Sequence, residues 1–199
     1  LRIELRAELK RLQREHGYTF LMATPDFNEA MALADTVIML REGKVVQAST
    51  PQQLYYAPVD RETALFVGSP QINLVRAVTS SDRATLTACG SVLHTPRHLL
   101  GAPLPAEEFE LGIRPEDLTI AEGTQAQFTG LLVDVEPLGL RSVLTVETGA
   151  DNSRYRLRIL ADSTLARSLH NGQSVGLNLS KPERLLAFDA QSGRSLLVS

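Results

Sequence analysis

The sequence predicts a layered α/β segment followed by an all-β barrel or sandwich, and the change falls at Gly68, Ser69 and Pro70. Before this point, apolar residues recur at helical spacing or form short runs between turn residues, in the order α-β-α-β-β-α-α. After it, apolar and polar residues alternate with a period of two in short stretches separated by turns. We therefore predict two domains, residues 1–68 and residues 69–199.

The first part of the chain begins with an amphipathic pattern. Leucines recur every three or four positions, at Leu1, Leu5, Leu9 and Leu12. This spacing predicts a helix that ends near Gly17, a typical residue just after a helix. The apolar run of residues 18–23 predicts a buried strand. Thr24 suits a helix N-cap and Pro25 the first helical position, which predicts a short helix ending near Ala34.

Two strands and two short helices are predicted next. Residues 36–40 and 44–48 have strand-like composition and flank the turn sequence Arg-Glu-Gly. Pro51 opens a short helix, and another covers residues 61–67. The second part has seven predicted strands, at residues 72–79, 84–89, 109–113, 127–136, 142–147, 154–160 and 175–180.

Composition excludes several classes of function. The 199 residues carry a net charge of -3, whereas nucleic-acid binders usually carry a basic stripe, so no nucleic acid is expected as a partner. Cys89 is the single cysteine, which excludes a disulfide within the chain and fits a reducing compartment. No apolar run approaches the roughly 18 residues of a membrane span. Because the first residue is Leu1 rather than Met, we expect a fragment of a longer protein.

The sequence contains no phosphate-binding loop of the P-loop type. That loop needs Gly-x-x-x-x-Gly-Lys followed by Ser or Thr, so that backbone N–H groups and the lysine surround the phosphates. The three lysines are Lys10, Lys44 and Lys181, and only Lys44 follows a glycine. Val45 then takes the place of the required hydroxyl residue. We therefore predict no cofactor-binding residue in this chain.

Metal sites and nucleophilic catalysis are not predicted either. His94 and His98 are four residues apart, but they lie in a proline-containing loop without a nearby cysteine or carboxylate pair. Residues 172–176 match the Gly-x-Ser-x-Gly of hydrolases, which requires a strand, a sharp turn and then a helix. Here the turn at Gly172 leads into a strand pattern, so a hydrolase acting through Ser174 remains a minor alternative.

The stretch of residues 24–74 resembles the end of the ATP-binding subunits of ABC importers of the maltose and sugar-uptake type. Its matching residues follow in the family's order: Thr24, Asp26, Glu29, Ala30, Leu33, Ala34, Asp35, Gly43, Gln47, Pro51, Leu54, Tyr55, Pro58, Phe66, Gly68, Ser69 and Pro70. So many matches in order are far more specific than a short motif. The resemblance implies that residues 1–68 are the C-terminal portion of a nucleotide-binding domain.

The second part resembles the regulatory domain of the same subunits. Residues 111–118, LGIRPEDL, are similar to its Gly-Ile-Arg-Pro-Glu-x-Leu segment, and residues 175–193 to its closing strand, turn and strand. That domain is an oligonucleotide-binding-type barrel called TOBE. The resemblance therefore implies an α/β fragment followed by an OB-like (TOBE) barrel.

The resemblance also implies a function. The parent protein would be an ATPase that couples ATP hydrolysis to import of a carbohydrate or polyol, with ATP and Mg as its cofactors and the barrel serving dimerisation and regulation. Its partners would be the membrane permease subunits, a second ATPase subunit in a homo- or heterodimer, and indirectly a solute-binding protein. It would lie in the cytoplasm, on the inner face of the membrane. The alternative is a small-ligand or oxyanion-binding OB-like module, against which residues 69–199 offer no basic cluster.

Two departures from the family pattern affect the chemistry. The P-loop, the signature loop and the acidic strand of the family lie upstream of Leu1, so we expect this chain to be inactive alone. The family's switch histidine, which contacts the γ-phosphate, is replaced by Pro25, which has neither a side-chain donor nor an N–H. No catalytic residue is therefore predicted. We expect structural roles for Glu29 at an exposed helix position, Asp35 at a helix end and Gly43 in a turn.

Overall fold

The computed structural model describes residues 2–105, 108–121, 126–149 and 154–197. Its α-helices are α1 (Arg2–His16), α2 (Phe27–Leu33), α3 (Pro51–Tyr56), α4 (Arg61–Phe66), α5 (Arg97–Leu100) and α6 (Ser163–Ala166). Single 3-10 turns cover Pro115–Asp117 and Pro182–Arg184. Within the described ranges, no helix is long and apolar enough to cross a membrane.

Twelve strands are present in the described part of the chain. The first pair is β1 (Val37–Arg41) and β2 (Lys44–Ser49). The others are β3 (Asn73–Thr79), β4 (Thr85–Ala88), β5 (Ser91–His94), β6 (Glu108–Ile113), β7 (Leu118–Ile120), β8 (Phe128–Pro137), β9 (Arg141–Thr148), β10 (Tyr155–Asp162), β11 (Ser174–Leu179) and β12 (Leu186–Asp189). Strands β5 and β7 were not predicted.

The predicted strand at residues 18–23 is wrong. These residues form no regular secondary structure, and their large side chains are exposed. Leu21 is 94% exposed, and Tyr18, Phe20 and Met22 are about half exposed. A buried strand requires a neighbouring strand and a covering layer, and the described residues supply neither here. The run is apolar, but the burial that such a composition normally indicates does not occur in this chain.

Helix α2 begins two residues later than predicted. Asp26, rather than Thr24, is its N-cap, and the Asp26 carboxylate accepts from the N–H groups of Asn28 and Glu29. Pro25 therefore lies before the helix and not in its first turn. The Thr24 hydroxyl accepts from the N–H of Asp26 at 3.0 Å instead. Two side chains suited to capping stand close together in sequence, and the structure uses the second.

The hairpin of β1 and β2 confirms the predicted turn. Glu42 and Gly43 both have positive φ angles, of 51° and 73°, as a two-residue hairpin turn of the tight primed type requires. The two strands form a sheet of their own. Their cross-strand pairs place Ile38, Leu40 and Val45 on a face where all three are exposed.

Two five-stranded antiparallel sheets form the rest of the molecule. Their strand orders are β10-β9-β8-β11-β7 and β12-β6-β3-β4-β5. Both sheets contribute to one apolar core, whose largest fully buried members include Phe109, Leu111, Phe128, Leu132 and Leu144. The sheets form a nearly closed barrel, which confirms the predicted α/β fragment followed by an OB-like barrel.

A side chain joins the two sheets where the edge strand β10 passes β3. The Asn73 amide donates to the carbonyl oxygen of Arg158 at 2.9 Å, and its side-chain oxygen accepts from the Arg158 N–H at 2.7 Å. Asn73 is 5% exposed. It therefore satisfies a backbone donor and an acceptor that an edge strand would otherwise leave unpaired.

Burial is distributed unevenly along the chain. No side chain described between residues 4 and 50 is buried, and Leu54 in α3 is the first that is. A second apolar cluster contains Ala64 of α4 together with Ile72, Leu186 and Phe188 of the barrel side. Helix α4 therefore packs on the barrel, although the predicted domain boundary lies after it. That boundary at residues 68 and 69 stays a prediction.

Candidate functional site at the junction of the helices and the barrel

The junction between α3, α4 and the barrel contains the most buried charge in the described structure. Arg114 follows β6 and precedes the 3-10 turn that Pro115 begins. The rigid φ of proline favours this turn, and the residue before a proline is held extended, as Arg114 is. The Arg114 side chain consequently points away from β6 towards the helices, and the residue is only 2% exposed.

The Arg114 guanidinium binds the ends of both helices. Its Nη1 donates to the carbonyl oxygens of Val67 at 2.5 Å and Ala64 at 3.1 Å, and its Nη2 donates to that of Tyr55 at 2.7 Å. The last carbonyl groups of a helix have no partner within the helix, and partial negative charge collects there. Arg114 thus supplies donors and positive charge to two helix ends at once.

Tyr55 completes this contact from the side of α3. The guanidinium carbon of Arg114 lies 3.9 Å from the centre of the Tyr55 ring, a cation–π distance. The Tyr55 hydroxyl donates to a carboxylate oxygen of Glu116. Burial, and then this hydrogen bond, raise the pKa of Tyr55, so the phenol stays protonated and can donate. Burial lowers the pKa of Arg114, against the attraction of the Glu116 and Asp117 carboxylates.

Gly68 makes room for this arrangement. Its φ is +118°, and a Cβ at this position would lie 3.0 Å from Nη1 of Arg114. A side chain here would therefore strain the backbone and press on the guanidinium. The glycine of the Phe-x-Gly-Ser-Pro segment and the arginine of the Arg-Pro-Glu segment are thus required by the same contact. The Ser69–Pro70 peptide bond that follows is cis.

The neighbouring tyrosine of α3 makes a similar but looser contact. The guanidinium carbon of Arg184 lies 5.1 Å from the centre of the Tyr56 ring. Nη1 of Arg184 is 3.5 Å from a carboxylate oxygen of Asp117, whose side chain is 3% exposed. Burial and the charge of Glu116 raise the pKa of Asp117. Consecutive tyrosines on α3 therefore each face an arginine of the barrel, and those arginines lie near consecutive acidic residues.

Further contacts strengthen the junction. Arg61 of α4 forms an ion pair with Glu110 of β6 at 2.7 Å. The segment after β12 also pairs with the linker between the helices. The N–H of Ser195 donates to the carbonyl oxygen of Val59, and the N–H of Arg61 donates to that of Gly193, both at 2.9 Å. The end of the described chain therefore holds the helices and the barrel together.

The segment around Pro25 lies close to this junction. The ring of Phe27, the first residue of α2, stacks on the ring of Tyr55 with centroids 6.4 Å apart and planes at 18°. The Thr24 hydroxyl donates to Glu29 at 3.1 Å, and Arg6 of α1 lies 3.5 Å from the same carboxylate. Glu29 is consequently half-buried in a small polar network, and the prediction of an exposed helix position is wrong.

The other residues predicted from the sequence to have defined positions lie outside the junction. Asp35 is exposed just beyond α2, as expected for a helix end. Ser174 is the first residue of β11 and follows the turn at Gly172, which has a φ of +87°. The predicted turn leading into a strand is confirmed, and the strand–turn–helix geometry of a hydrolase nucleophile is not formed there.

The two histidines lie in different surroundings: His98 borders the same cavity as Tyr56 and Arg184, whereas His94 does not. His94 ends β5, and the ring Nε2 of His98 lies 2.8 Å from the carbonyl oxygen of Leu185. Among the described residues, no three His, Cys, Asp or Glu side chains are grouped as a metal would require.

The roles of Arg114, Tyr55 and Phe27 at the junction were missed by the sequence reasoning. Tyr55 and Arg114 both lie in segments that resemble the importer family, but they are 59 positions apart. No local periodicity indicates that two such segments touch. Strand alternation even places Arg114 on the same face as Glu108 and Glu110, opposite the apolar Phe109, Leu111 and Ile113, so the sequence pattern predicts an exposed position.

Comparison with known proteins identifies the barrel side of this junction. A family model described as the TOBE domain matches residues 111–188, which include Arg114, Glu116 and Arg184. Residues 111–188 are a TOBE domain. The curated relatives are transport or import ATP-binding proteins, and the resemblance to the C-terminal part of a sugar-importer ATP-binding subunit is therefore confirmed.

Relatives cover nearly the whole chain. The sulfoquinovosyl glycerol transport ATP-binding protein SmoE of Agrobacterium fabrum is 32% identical over 197 residues, which are 98% of this chain and 53% of the relative. The sn-glycerol-3-phosphate import ATP-binding protein UgpC of Vibrio cholerae is 32% identical over 98% of this chain and 50% of its own length. The UgpC of Rhizobium meliloti is 42% identical over 62% of this chain and 32% of the relative. The chain thus spans about half the length of the first two relatives.

A solved structure is also similar in part. The cytoplasmic molybdate-binding protein ModG covers 58% of this chain and 94% of its own, with a TM-score of 0.43 and 11% sequence identity. A likeness at this level says nothing about a shared ligand. The curated relatives favour the importer interpretation over a small-ligand or oxyanion-binding module.

Proposed function

We propose that this chain is the C-terminal part of the ATPase subunit of an ABC importer, a subunit that couples ATP hydrolysis to uptake of a carbohydrate or polyol. The observation that carries the proposal is the match of 98% of the chain to import ATP-binding proteins, together with the TOBE domain at residues 111–188. The barrel would serve dimerisation and regulation.

The names of the relatives support the class of solute. One relative carries the name of a sulfoquinovosyl glycerol transporter and others that of sn-glycerol-3-phosphate importers. Both solutes are polyol derivatives, and the first also contains a sugar. A carbohydrate or polyol derivative is therefore the class that we propose for the parent protein.

The partners follow from the same relationship. An import ATP-binding protein works with membrane permease subunits, and ATPases of this kind act in pairs. We propose permease subunits and a second ATPase subunit, identical or not, as direct partners, and a solute-binding protein as an indirect one. The parent protein would lie in the cytoplasm, on the inner face of the membrane, held there by the permease.

Exposed apolar side chains support the assignment of residues 1–68 to a nucleotide-binding domain. Residues 18–22 and the outer face of the β1–β2 hairpin expose large apolar side chains, among them Leu21 at 94%, Leu40 at 63% and Val45 at 62%. Exposed apolar surface of this extent marks a surface that packs against other protein. We propose that the rest of the nucleotide-binding domain covers it, and that residues 69–199 form the TOBE domain.

Pro25 suggests that the parent's ATP site is altered. The capping network of Thr24, Asp26 and Glu29 is intact, while Pro25 itself is exposed and carries no donor at the position of the switch histidine. Loss of one preorganised donor typically reduces an enzymatic rate by about 10²–10³. We therefore propose that the parent works beside a second, non-identical ATPase subunit that supplies a competent site.

The full-length subunit provides the test. ATP hydrolysis is measured with the subunit alone, as wild type, as Pro25→His, and as Pro96→His for a control proline in the barrel. The proposal predicts slow hydrolysis by the wild type, a large increase with Pro25→His and no increase with Pro96→His. A wild type that hydrolyses ATP rapidly alone, unimproved by Pro25→His, contradicts the altered site.

A binding experiment tests whether ATP binds only to the part of the full-length subunit that lies outside these 199 residues. Because these 199 residues contain no P-loop, titration of the chain with ATP and magnesium is expected to give no saturable heat, whereas the full-length subunit binds. Saturable micromolar binding by this chain contradicts the assignment. A full-length subunit that does not bind ATP contradicts the proposed function itself.

A further inference from the structure

Tyr55 contacts α2 and the barrel with the same side chain. Its ring stacks on Phe27, the first residue of α2, and also lies 3.9 Å from the guanidinium carbon of Arg114. Its hydroxyl donates to Glu116. The Tyr55 ring therefore connects the TOBE domain, through Arg114, with the segment that follows Pro25, through Phe27.

Helix α2 depends on this kind of support. It is seven residues long and has no buried residue. A helix of two turns is not stable by itself, so contacts with other elements must hold it in place. Its ion pair with α1, between Glu29 and Arg6, joins partly exposed groups at 3.5 Å, and such pairs stabilise weakly. The Phe27–Tyr55 stack is thus an important anchor, since aromatic pairs contribute beyond the area that they bury.

Tyr55 makes more contacts with the barrel than with α2. Arg114 binds both the carbonyl oxygen and the ring of Tyr55, and Arg114 is itself held by the ends of two helices. Movement of Arg114 or Glu116 must therefore move the ring on which Phe27 rests.

We propose that Tyr55 is a positioning residue through which the TOBE domain sets the position of α2 and of the Thr24–Asp26 segment before it. Changes in the barrel that loosen the Arg114 and Glu116 contacts release α2. Any consequence for ATP hydrolysis rests on the proposed function, because Pro25 would lie beside the γ-phosphate only in the ATP site of the full-length subunit. The link itself is a property of this chain and does not depend on ATP.

A double-mutant cycle in this chain tests the link, because spatial proximity alone does not demonstrate coupling. The variants are Arg114→Lys, Phe27→Leu and the two combined. The measurement is NMR amide exchange at Ala30 and Ala34, whose N–H groups donate to the carbonyl oxygens of Asp26 and Ala30. Arg114→Lys is expected to accelerate exchange at both amides by about fivefold or more, the lower end for coupled sites.

The cycle has a defined outcome in the Phe27→Leu background. Once the ring of Phe27 is absent, Arg114→Lys is expected to add no further acceleration at Ala30 or Ala34. Should Arg114→Lys prevent folding, Glu116→Gln replaces it, since Glu116 is partly exposed and its replacement leaves the arginine in place. Equal effects of the barrel variant with and without the Phe27 ring overturn the proposal.

Glu110→Gln is the matched control. Glu110 lies in the barrel and pairs with Arg61 of α4, so its replacement also loosens the junction, but it does not touch Tyr55. Exchange at Ala30 and Ala34 should not change. Acceleration equal to that caused by Arg114→Lys would indicate general loosening of the junction and would overturn the specific role of Tyr55.

In the full-length subunit, Glu116→Gln should also alter the rate of ATP hydrolysis. If only this rate is unchanged, the result counts against the proposed function and not against the link through Tyr55.

Discussion

Arg114 lies over the ring of Tyr55 and donates a hydrogen bond to the carbonyl oxygen of the same residue. The two residues are 59 positions apart, one at the end of a barrel strand and the other in a short helix. Each belongs to a segment that the sequence marks by its resemblance to importer subunits. Both segments can therefore be understood as halves of one contact, which joins the helices to the TOBE domain.

Replacement of Arg114 is expected to destabilise the fold strongly. Arg114→Met leaves the carbonyl oxygens of Tyr55, Ala64 and Val67 without this donor, and each unsatisfied buried group costs about 1–3 kcal/mol. Removal of a buried charge whose Nε has no partner offsets part of the loss. We expect the free energy of unfolding to fall by about 2–4 kcal/mol in urea denaturation.

Arg76→Met is the control for this measurement. Arg76 is an arginine of β3 whose side chain is 70% exposed and pairs with Glu108 at the surface. Surface substitutions of this kind usually change stability by less than about 0.5 kcal/mol. If both variants lose the same small amount, Arg114 does not have the structural role described here.

Asn73 is expected to stabilise the fold through its hydrogen bonds with the backbone of Arg158. Asn73→Ala leaves the N–H and carbonyl of Arg158 unsatisfied at the meeting of the two sheets, at a cost of about 1–3 kcal/mol. Exchange of the Arg158 amide should also become faster. Gln71→Ala, two residues earlier and exposed, is the control and should change neither quantity. An Arg158 amide with unchanged protection in Asn73→Ala contradicts the prediction.

Asp60 is expected to make stability depend on pH in the acidic range. Burial acts to raise its pKa, but hydrogen bonds from Arg41 and from the N–H of Thr63 outweigh it and lower the pKa to about 2. Because the pKa in an unfolded chain is about 3.9, the ionised carboxylate stabilises the fold above about pH 5. This stabilisation is lost as the pH falls towards 2.

The measurement compares wild type with Asp60→Asn from pH 2 to pH 7. The difference in the free energy of unfolding should reach about 1–2 kcal/mol above pH 5, a value reduced for solvent screening, and approach zero near pH 2. Asp134→Asn, at an exposed position of β8, is the control and should show no such dependence. A constant difference across the whole range indicates that Asp60 acts through shape rather than through charge.

Amide protection against hydrogen exchange should be low before α3 and high in the barrel strands after it. Strands β8 and β9 contribute buried side chains to the shared core, whereas no side chain described in residues 18–48 is buried. Amides in β8 and β9 are therefore expected to be protected far better than those of residues 18–48, because local opening requires less where fewer apolar contacts are lost. Equal protection of the two regions in a monomeric sample contradicts this expectation.

Three segments of this chain depart from the sequence predictions for local and specific reasons. Residues 18–23 have the composition of a buried strand, but whether such a run is buried depends on neighbours that the run itself does not encode. Thr24 and Asp26 are both good N-caps, and the choice between them followed from the Thr24–Glu29 and Thr24–Asp26 hydrogen bonds. Glu29 is polar and was expected to be exposed, but its contacts with Thr24 and Arg6 partly bury it.

The sequence by itself determined the class of each part of this protein. Periods of 3.6 and of two residues, with glycine and proline at the turns, are local properties, and they suffice to distinguish helices from barrel strands. The tertiary structure alone decided which segments meet. Tyr55 reaches Arg114, and Asn73 reaches Arg158, because two sheets close over one core and leave buried helix ends and strand edges that need partners. Such partners can lie at any distance along the chain, since the requirement to satisfy buried polar groups acts through space and not through sequence.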